Sequence, residues 1–242
     1  MAELDSTLLL STLRAELRAA WQMMHADHGH ERLYGFGVYT TDSASDLNVT
    51  AFSEVGLATA VARQPEGLDR IEASLRRAGL DDAADLQVRN RAVAEDPVLG
   101  AQSLKWSPCD SPLHERGSGL LPGADRIVHA RILARDEEDA ELDDDALQDD
   151  DDDTSAREVF QVAVQVLQEM DRDGVFGMGA QRDLLTLCIW KGDQSNVERY
   201  EIAKMLNPPS VAKRFGEEMN LGIRAFYRQS QPDFVAPQDV FN

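Results

Sequence analysis

The segment LYGFGVYTT, residues 33–41, is the strongest indicator of the fold class. From Tyr34 to Thr40 every second residue is either aromatic or β-branched. This period of two is typical of a β-strand with one buried face. Gly35 and Gly37 fall on the opposite face of that strand, where the missing side chains leave room for a closely packed group.

Three further segments are predicted strands. Residues 42–46 form a turn, so residues 47–52 are expected to return beside residues 33–41 as the second strand of a hairpin. A short strand is predicted at 103–106. The most apolar run of the chain, LLTLCIW at 184–190, is bounded by polar residues, and we expect it to be the central, buried strand.

Helical periodicity occupies much of the rest of the chain. A first helix is predicted from apolar residues at spacings of three and four between Leu10 and Met24. Pro65 is expected to separate a helix at 53–63 from a second helix at 66–78. Two Ser-x-x-Glu capping boxes, which begin at Ser155 and Ser195, predict the starts of two later helices. The sequence therefore predicts an α+β fold, with a small mixed or antiparallel sheet of about four strands packed against helices.

The charge of the protein is concentrated in one segment. The chain has 242 residues with 44 acids and 24 bases, a net charge of −20, and 13 of the 18 residues from 136 to 153 are acidic. Outside this segment the net charge is only −7. Since dense like charges repel one another, we expect a single domain over residues 1–242 with a flexible acidic insertion at about 136–153 and a loose C-terminal tail from about 229.

Composition excludes several classes of function. An acidic protein of this charge repels phosphates, which argues against nucleic-acid binding. Two cysteines are too few for a disulfide framework, and no apolar window is long enough for a membrane span or a signal peptide. We therefore expect a cytoplasmic protein without a membrane partner, and no motif indicates a cofactor.

One histidine cluster could bind a metal ion. His25, His28 and His30 lie close together near the end of the first helix, and imidazoles at such spacing can bind zinc or nickel. No H-E-x-x-H motif accompanies them, and histidines also occur at helix C-termini because the helix dipole favours a cation there. We therefore predict no metal site, and these three histidines are the only candidate ligands that the sequence suggests.

Several landmarks, taken together and in order, resemble a bacterial family of small proteins described only as a domain of unknown function. They are the strand at 33–42, the Trp106-Ser107-Pro108 turn, the segment LQEMDRDGVFGMG at 167–179, the apolar strand, and Met205-Leu206-Asn207-Pro208. The resemblance covers roughly residues 5–215 and assigns no catalytic residues. It implies an immunity-type protein of a polymorphic-toxin system.

On this basis we expect a binding protein, with enzymatic activity the less favoured interpretation. It would neutralise a basic toxin domain by protein–protein contact, steered by opposite charge. The alternatives are a metal-dependent hydrolase that uses histidines and carboxylates, and a non-enzymatic regulatory or assembly module. The predicted partner-binding residues are Asp136, Glu137, Glu138, Asp139, Asp143, Asp144, Asp145, Asp149, Asp150, Asp151, Asp152, Asp153, Trp106 and Asp110. Trp106 is expected either as an anchor for the partner or as a core residue.

Overall fold

A computed structural model describes residues 5–139, 150–192 and 194–230. The helices are α1 (Ser6–His28), α2 (Glu54–Arg77), α3 (Asp81–Ala94), α4 (Pro97–Leu104), α5 (Pro112–Gly117), α6 (Pro122–Asp139), α7 (Asp150–Arg172), α8 (Asn196–Leu206) and α9 (Pro209–Ser230). The strands are β1 (Leu33–Thr40), β2 (Leu47–Ser53) and β3 (Thr186–Lys191). The predicted α+β class is therefore confirmed.

The described strands form one mixed sheet of three strands in the order β2-β1-β3. β1 pairs with β2 in antiparallel register, with Val38 opposite Val49, and with β3 in parallel register, with Val38 opposite Ile189. The predicted hairpin is correct, but the count of about four strands is not. The residues predicted as a short strand at 103–106 instead lie at the end of α4 and in the turn after it.

The apolar strand β3 is an edge strand, so the prediction that it is central was wrong. A side chain occupies the position of a further strand: Asn207 accepts a hydrogen bond from the Leu187 amide at 2.8 Å through Oδ1 and donates to the Leu187 carbonyl at 2.7 Å through Nδ2. Because this amide satisfies the outer backbone groups at Leu187, the edge can be buried and apolar.

One face of the sheet packs against α1, α6 and α7 in what we call the main core. Alternate residues of the strands point into it, among them Phe36, Val38 and Ile189. Its buried members on the helices include Leu9, Leu13, Leu17, Ala124, Val128, Val166, Leu167 and Met170. The apolar residues of α1 that recur at spacings of three and four thus bury the helix, and the Asp5 side chain caps its start by accepting from the Leu8 amide.

The opposite face carries a smaller group of rings that we call the aromatic cluster, comprising Tyr34, Phe52, Trp106, Trp190 and Phe215. Gly35 makes room for it, as predicted, because a Cβ atom there would lie 2.8 Å from Cζ3 of Trp106. Tyr34 was expected to share a face with Phe36. It joins the aromatic cluster instead, since the register between β1 and β2 shifts between Leu33 and Gly35.

Two helix boundaries differ from the prediction. Pro65 lies inside the continuous helix α2, which it does not divide. α7 begins at Asp150, before the predicted capping box at Ser155, so that box does not start the helix. The second capping box is confirmed: Ser195 and Glu198 bond reciprocally at the start of α8. Of the tail expected from about 229, residues 231–242 lie outside the described part of the chain.

Candidate functional site

The acidic segment 136–153 includes the end of α6 and the start of α7. Residues 136–139 are the last of α6 and residues 150–153 are the first of α7, while residues 140–149 lie outside the described residues. Arg131 of α6 and Glu158 of α7 form an ion pair at 2.9 Å, which joins the helices near the point where both enter the main core. On both sides the segment is therefore continuous with a helix that is packed in the main core.

The Trp106-Ser107-Pro108 turn places its tryptophan inside the protein. Trp106 is only 8% exposed, and its ring lies 4.8 Å from that of Phe215 and 5.1 Å from that of Tyr34. Its indole Nε1 donates to Oε2 of Glu218 at 3.1 Å. Of the two interpretations of Trp106, these contacts favour the core residue over the exposed anchor.

Asp110 lies on the short 3₁₀ turn that follows Trp106. It is exposed, and its carboxylate accepts a hydrogen bond from the Ser107 hydroxyl at 2.6 Å. The next residue, Ser111, is buried and donates to the carbonyl of Ala51 on β2. The turn is thus fastened to the sheet at Ser111, while Asp110 remains open to a partner.

The three predicted histidines do not form a metal-binding group among the described residues, and His30 is exposed. His28 forms a 2.7 Å hydrogen bond with Glu31, whose carboxylate also accepts from the Ser53 hydroxyl at 2.8 Å. Burial raises the pKa of Glu31, but the hydrogen bonds from His28 and Ser53 outweigh this effect, so the net shift is downward. His25 lies against the ring of Trp21, with 5.4 Å between ring centroids.

Among the described residues, the one group of three or more ligand types within metal-binding distance of one another is Asp46, Asp125 and His129, not the predicted histidines. No local sequence pattern indicates this group, because Asp46 is far from Asp125 and His129 in the chain. Asp125 already accepts a hydrogen bond from the Leu47 amide at 3.1 Å, and His129 is exposed. These contacts give the group a role in holding the start of β2 against α6.

Two of the sequence landmarks meet at a buried arginine. Arg182 is 5% exposed and donates from Nε to Asp171, which lies in the segment 167–179. It also donates to the Leu206 carbonyl at 3.1 Å and to Oδ1 of Asn207 at 3.2 Å. Because Asn207 in turn holds the edge of β3, these landmarks have a structural role at the sheet edge.

A cavity of about 580 Å³ opens where β1 and β3 begin, beside the aromatic cluster. Rings of both packed faces line it, including Trp21, Tyr34, Trp106 and Phe176. Its polar lining residues are His25, Arg32, Glu54, Lys105, Gln181, Thr186, Arg214 and Glu218. Of these, only His25 was singled out from the sequence.

Hydrogen bonds fix one wall of this cavity. The Tyr34 hydroxyl donates to the Lys105 carbonyl at 2.8 Å, and Lys105 Nζ lies 2.8 Å from Oε1 of Glu218. Both oxygens of the Glu218 carboxylate therefore accept a hydrogen bond, one from Lys105 and the other from the Trp106 indole. Burial raises the pKa of Tyr34 far above its ordinary value, with the nearby carboxylates of Glu54 and Glu218 adding to the effect, so the hydroxyl stays protonated and serves as a donor.

In the part of the chain that the structure describes, no helix has the length and apolar character needed to cross a membrane. No curated protein and no solved structure matches the chain. The family profile described as Domain of unknown function (DUF4303) matches residues 13–208, from within α1 to the end of the Asn207-Pro208 corner. Since this match spans most of the chain, the protein belongs to the DUF4303 family of domains of unknown function.

Proposed function

We propose that this protein is a cytoplasmic, immunity-type binding protein that neutralises a basic toxin domain by protein–protein contact, and that the acidic segment 136–153 makes the first contact. The observation that carries the proposal is the distribution of charge. The segment holds 13 of the 44 acids in 18 residues and no base, whereas the rest of the chain is close to balanced, with 31 acids and 24 bases.

A charge density this high is expected to raise the association rate more than the affinity. An anionic segment attracts a cationic surface over roughly one Debye length, about 8 Å at physiological salt, and raises the rate of productive encounters. Toxins that act on nucleic acids or nucleotides need cationic clefts to hold phosphates, so an acidic protein is suited to cover such a cleft.

The flanking helices allow this contact without a change in the core. Val128 of α6 and Val159 of α7 are buried in the main core. From Arg131 to the end of α6, and from Glu158 back to the start of α7, each helix continues for eight residues, or about 12 Å at 1.5 Å per residue. A partner that binds the segment therefore engages it about two helical turns beyond the Arg131–Glu158 ion pair.

The two alternatives have less support. The hydrolase interpretation started from His25, His28 and His30, but His28 is held by Glu31 and His25 lies against Trp21. A regulatory or assembly module would share the acidic binding segment with the immunity protein. Only the immunity protein would protect a cell from a toxin, so protection is the property to test.

The experiment begins with the genes beside the gene for this protein, among which we expect one that encodes a toxin domain. We expect co-expression of the full-length protein to restore growth of cells that express this domain. In surface plasmon resonance, the association rate should fall steeply between 50 and 500 mM NaCl, about tenfold or more because the contact is steered by charge. A variant in which all acids of 136–153 become the matching amides keeps the chain length and should lose most of this salt dependence.

A matched control carries Asp81→Asn, Asp82→Asn and Asp85→Asn on α3, which are exposed acids outside the segment. It should protect cells as the unmodified protein does. Absence of a neighbouring toxin gene, or failure to protect, would contradict the immunity role. Protection with an association rate that is indifferent to salt and to the amide substitutions would contradict the role of the acidic segment.

A further inference from the structure

The cavity at the start of β1 and β3 differs in charge from the rest of the protein. Of its charged lining residues, Lys105 and Glu218 neutralise each other at 2.8 Å. Arg214 donates to the backbone carbonyl of Asp183, a neutral acceptor that leaves its positive charge in place. The other charged lining residues are two arginines, Arg32 and Arg214, and one carboxylate, Glu54. The lining is therefore cationic, although the chain as a whole is strongly acidic.

Arg32 is held in an unusual backbone conformation at the rim of this cavity. Its φ is +60°, in the left-handed region that non-glycine residues rarely adopt. Two backbone hydrogen bonds fix it there: its amide donates to Gly29, and its carbonyl accepts from the Glu54 amide at 3.2 Å. Its exposed guanidinium has no hydrogen-bond or ion-pair partner within the described residues. Strain of this kind is often retained where it positions a functional side chain.

A second, independent observation lies at the inner end of the cavity. Thr186, the first residue of β3, lines the cavity and is fully buried, and its hydroxyl has no hydrogen-bond partner among the described residues. A buried hydroxyl without a partner is costly, about 1–3 kcal/mol, and is uncommon in folded proteins. A ligand in the cavity would supply the missing partner.

From these features we propose that the cavity binds a small organic anion with a flat apolar body. The anionic group pairs with Arg32 and Arg214, the apolar body lies along the aromatic wall formed by Trp21, Tyr34 and Trp106, and a polar atom of the ligand bonds to Thr186. A cavity of about 580 Å³ lies in the range of sites for small organic ligands. This site is separate from the acidic segment, which attracts cations.

The test uses two probes that share their aromatic rings and differ in charge. One is 1-anilinonaphthalene-8-sulfonate, which carries a sulfonate, and the other is N-phenyl-1-naphthylamine, which is neutral. Fluorescence titration of the full-length protein should show the sulfonate binding in a one-to-one complex, about tenfold or more tighter than the neutral probe, because a charge-assisted contact is added.

Three variants assign the binding to this cavity. Arg32→Gln should weaken sulfonate binding about tenfold and leave the neutral probe unaffected. Arg32→Gly also removes the guanidinium. Since glycine adopts positive φ freely, this variant should stay folded and should weaken sulfonate binding as much as Arg32→Gln does. Thr186→Val removes the unpartnered hydroxyl at constant shape and should weaken sulfonate binding without loss of stability.

The matched control is Arg70→Gln, which removes an exposed arginine of α2 whose Nε donates only to the carbonyl of Glu66. It should leave both affinities unchanged, and the amide-substituted acidic segment should also retain sulfonate binding. Equal affinities for the two probes, or equal losses in Arg32→Gln and Arg70→Gln, would overturn the proposal. Neither result would bear on toxin binding.

Discussion

The two faces of the same sheet are packed by different chemistry. On one face, Phe36, Val38 and Ile189 enter a main core filled largely by aliphatic side chains from α1, α6 and α7. On the other face, Gly35 leaves space for the aromatic cluster, in which rings meet at centroid distances of 4.8 to 5.9 Å. The first face is thus packed mainly by aliphatic side chains, whereas the second is packed mainly by rings.

The polar atoms distinguish the two faces most clearly. On the aromatic side, the Trp106 indole and the Tyr34 hydroxyl have partners in Glu218 and the Lys105 carbonyl. The Nε1 of Trp190 and the hydroxyl of Thr186 are buried and have none among the described residues. Because buried polar atoms without partners cost free energy, the main core is the more favourably packed of the two faces.

The largest expected effect comes from breaking the main core. Leu167 of α7 is fully buried there, and Leu167→Ala should lower the free energy of unfolding by about 2–5 kcal/mol, because transfer and cavity costs add. Urea denaturation followed by far-ultraviolet circular dichroism measures this loss. The control is Leu133→Ala on α6, where the side chain is 61% exposed and the change should be within about 0.5 kcal/mol. Similar losses in both variants would contradict the assignment of the core.

A smaller effect is expected from crowding the aromatic side. In Gly35→Ala the new Cβ would lie 2.8 Å from Cζ3 of Trp106 and 2.9 Å from Cδ2 of Phe52, so the rings must move. We expect a loss of about 1–3 kcal/mol, typical of overpacking, together with a changed near-ultraviolet circular dichroism spectrum. In Gly67→Ala nothing lies within 4 Å of the new atom, so this variant of α2 should be equally or more stable. An unchanged spectrum in Gly35→Ala would show that the rings do not depend on this glycine.

Local sequence patterns predicted two of the strands correctly. The alternation in residues 33–41 and the turn at 42–46 correctly gave β1 and its antiparallel partner β2. The short segment at 103–106 lacked a long enough pattern to separate a strand from the end of a helix, and it belongs to α4 and the turn after it. The apolar run at 184–190 contains the buried strand β3, but the strand begins only at Thr186, and Leu184 before it is 67% exposed in a 3₁₀ turn. Burial did not make the strand central, because the side chain of Asn207 covers its edge.

Local sequence patterns did not predict the cavity. Its wall depends on Trp106 and Glu218, which are 112 positions apart, and neither neighbourhood signals the other. The left-handed conformation of Arg32 has no local signal either, since arginine gives no preference for positive φ. The acidic segment, in contrast, is a property of composition alone and was evident from the sequence.

The smallest expected effect concerns the polar contact that joins α1 to the start of α2. The Glu31 carboxylate accepts hydrogen bonds from His28 and Ser53, and Ser53 also caps α2 by accepting from the Gly56 amide. Although burial alone raises the pKa of Glu31, these bonds bring it below its ordinary value, so the folded state favours the charged form. A carboxyl group with a lowered folded-state pKa stabilises the protein above its unfolded pKa of about 4.3, and this contribution is lost as the pH falls through the folded pKa.

Glu31→Gln should therefore lower the free energy of unfolding by about 1 kcal/mol at pH 7, because charge-assisted bonds are replaced by weaker ones. The difference between the variant and the unmodified protein should begin to shrink as the pH falls below about 4.3, where Glu31 is protonated in the unfolded state. It should continue to shrink as the pH falls through the lower folded-state pKa, below which Glu31 is neutral in both states. Urea denaturation at pH 7, 5 and 3.5 measures it, with Glu66→Gln on the exposed side of α2 as the control. A difference that is constant across this range would show that the charge of Glu31 contributes nothing.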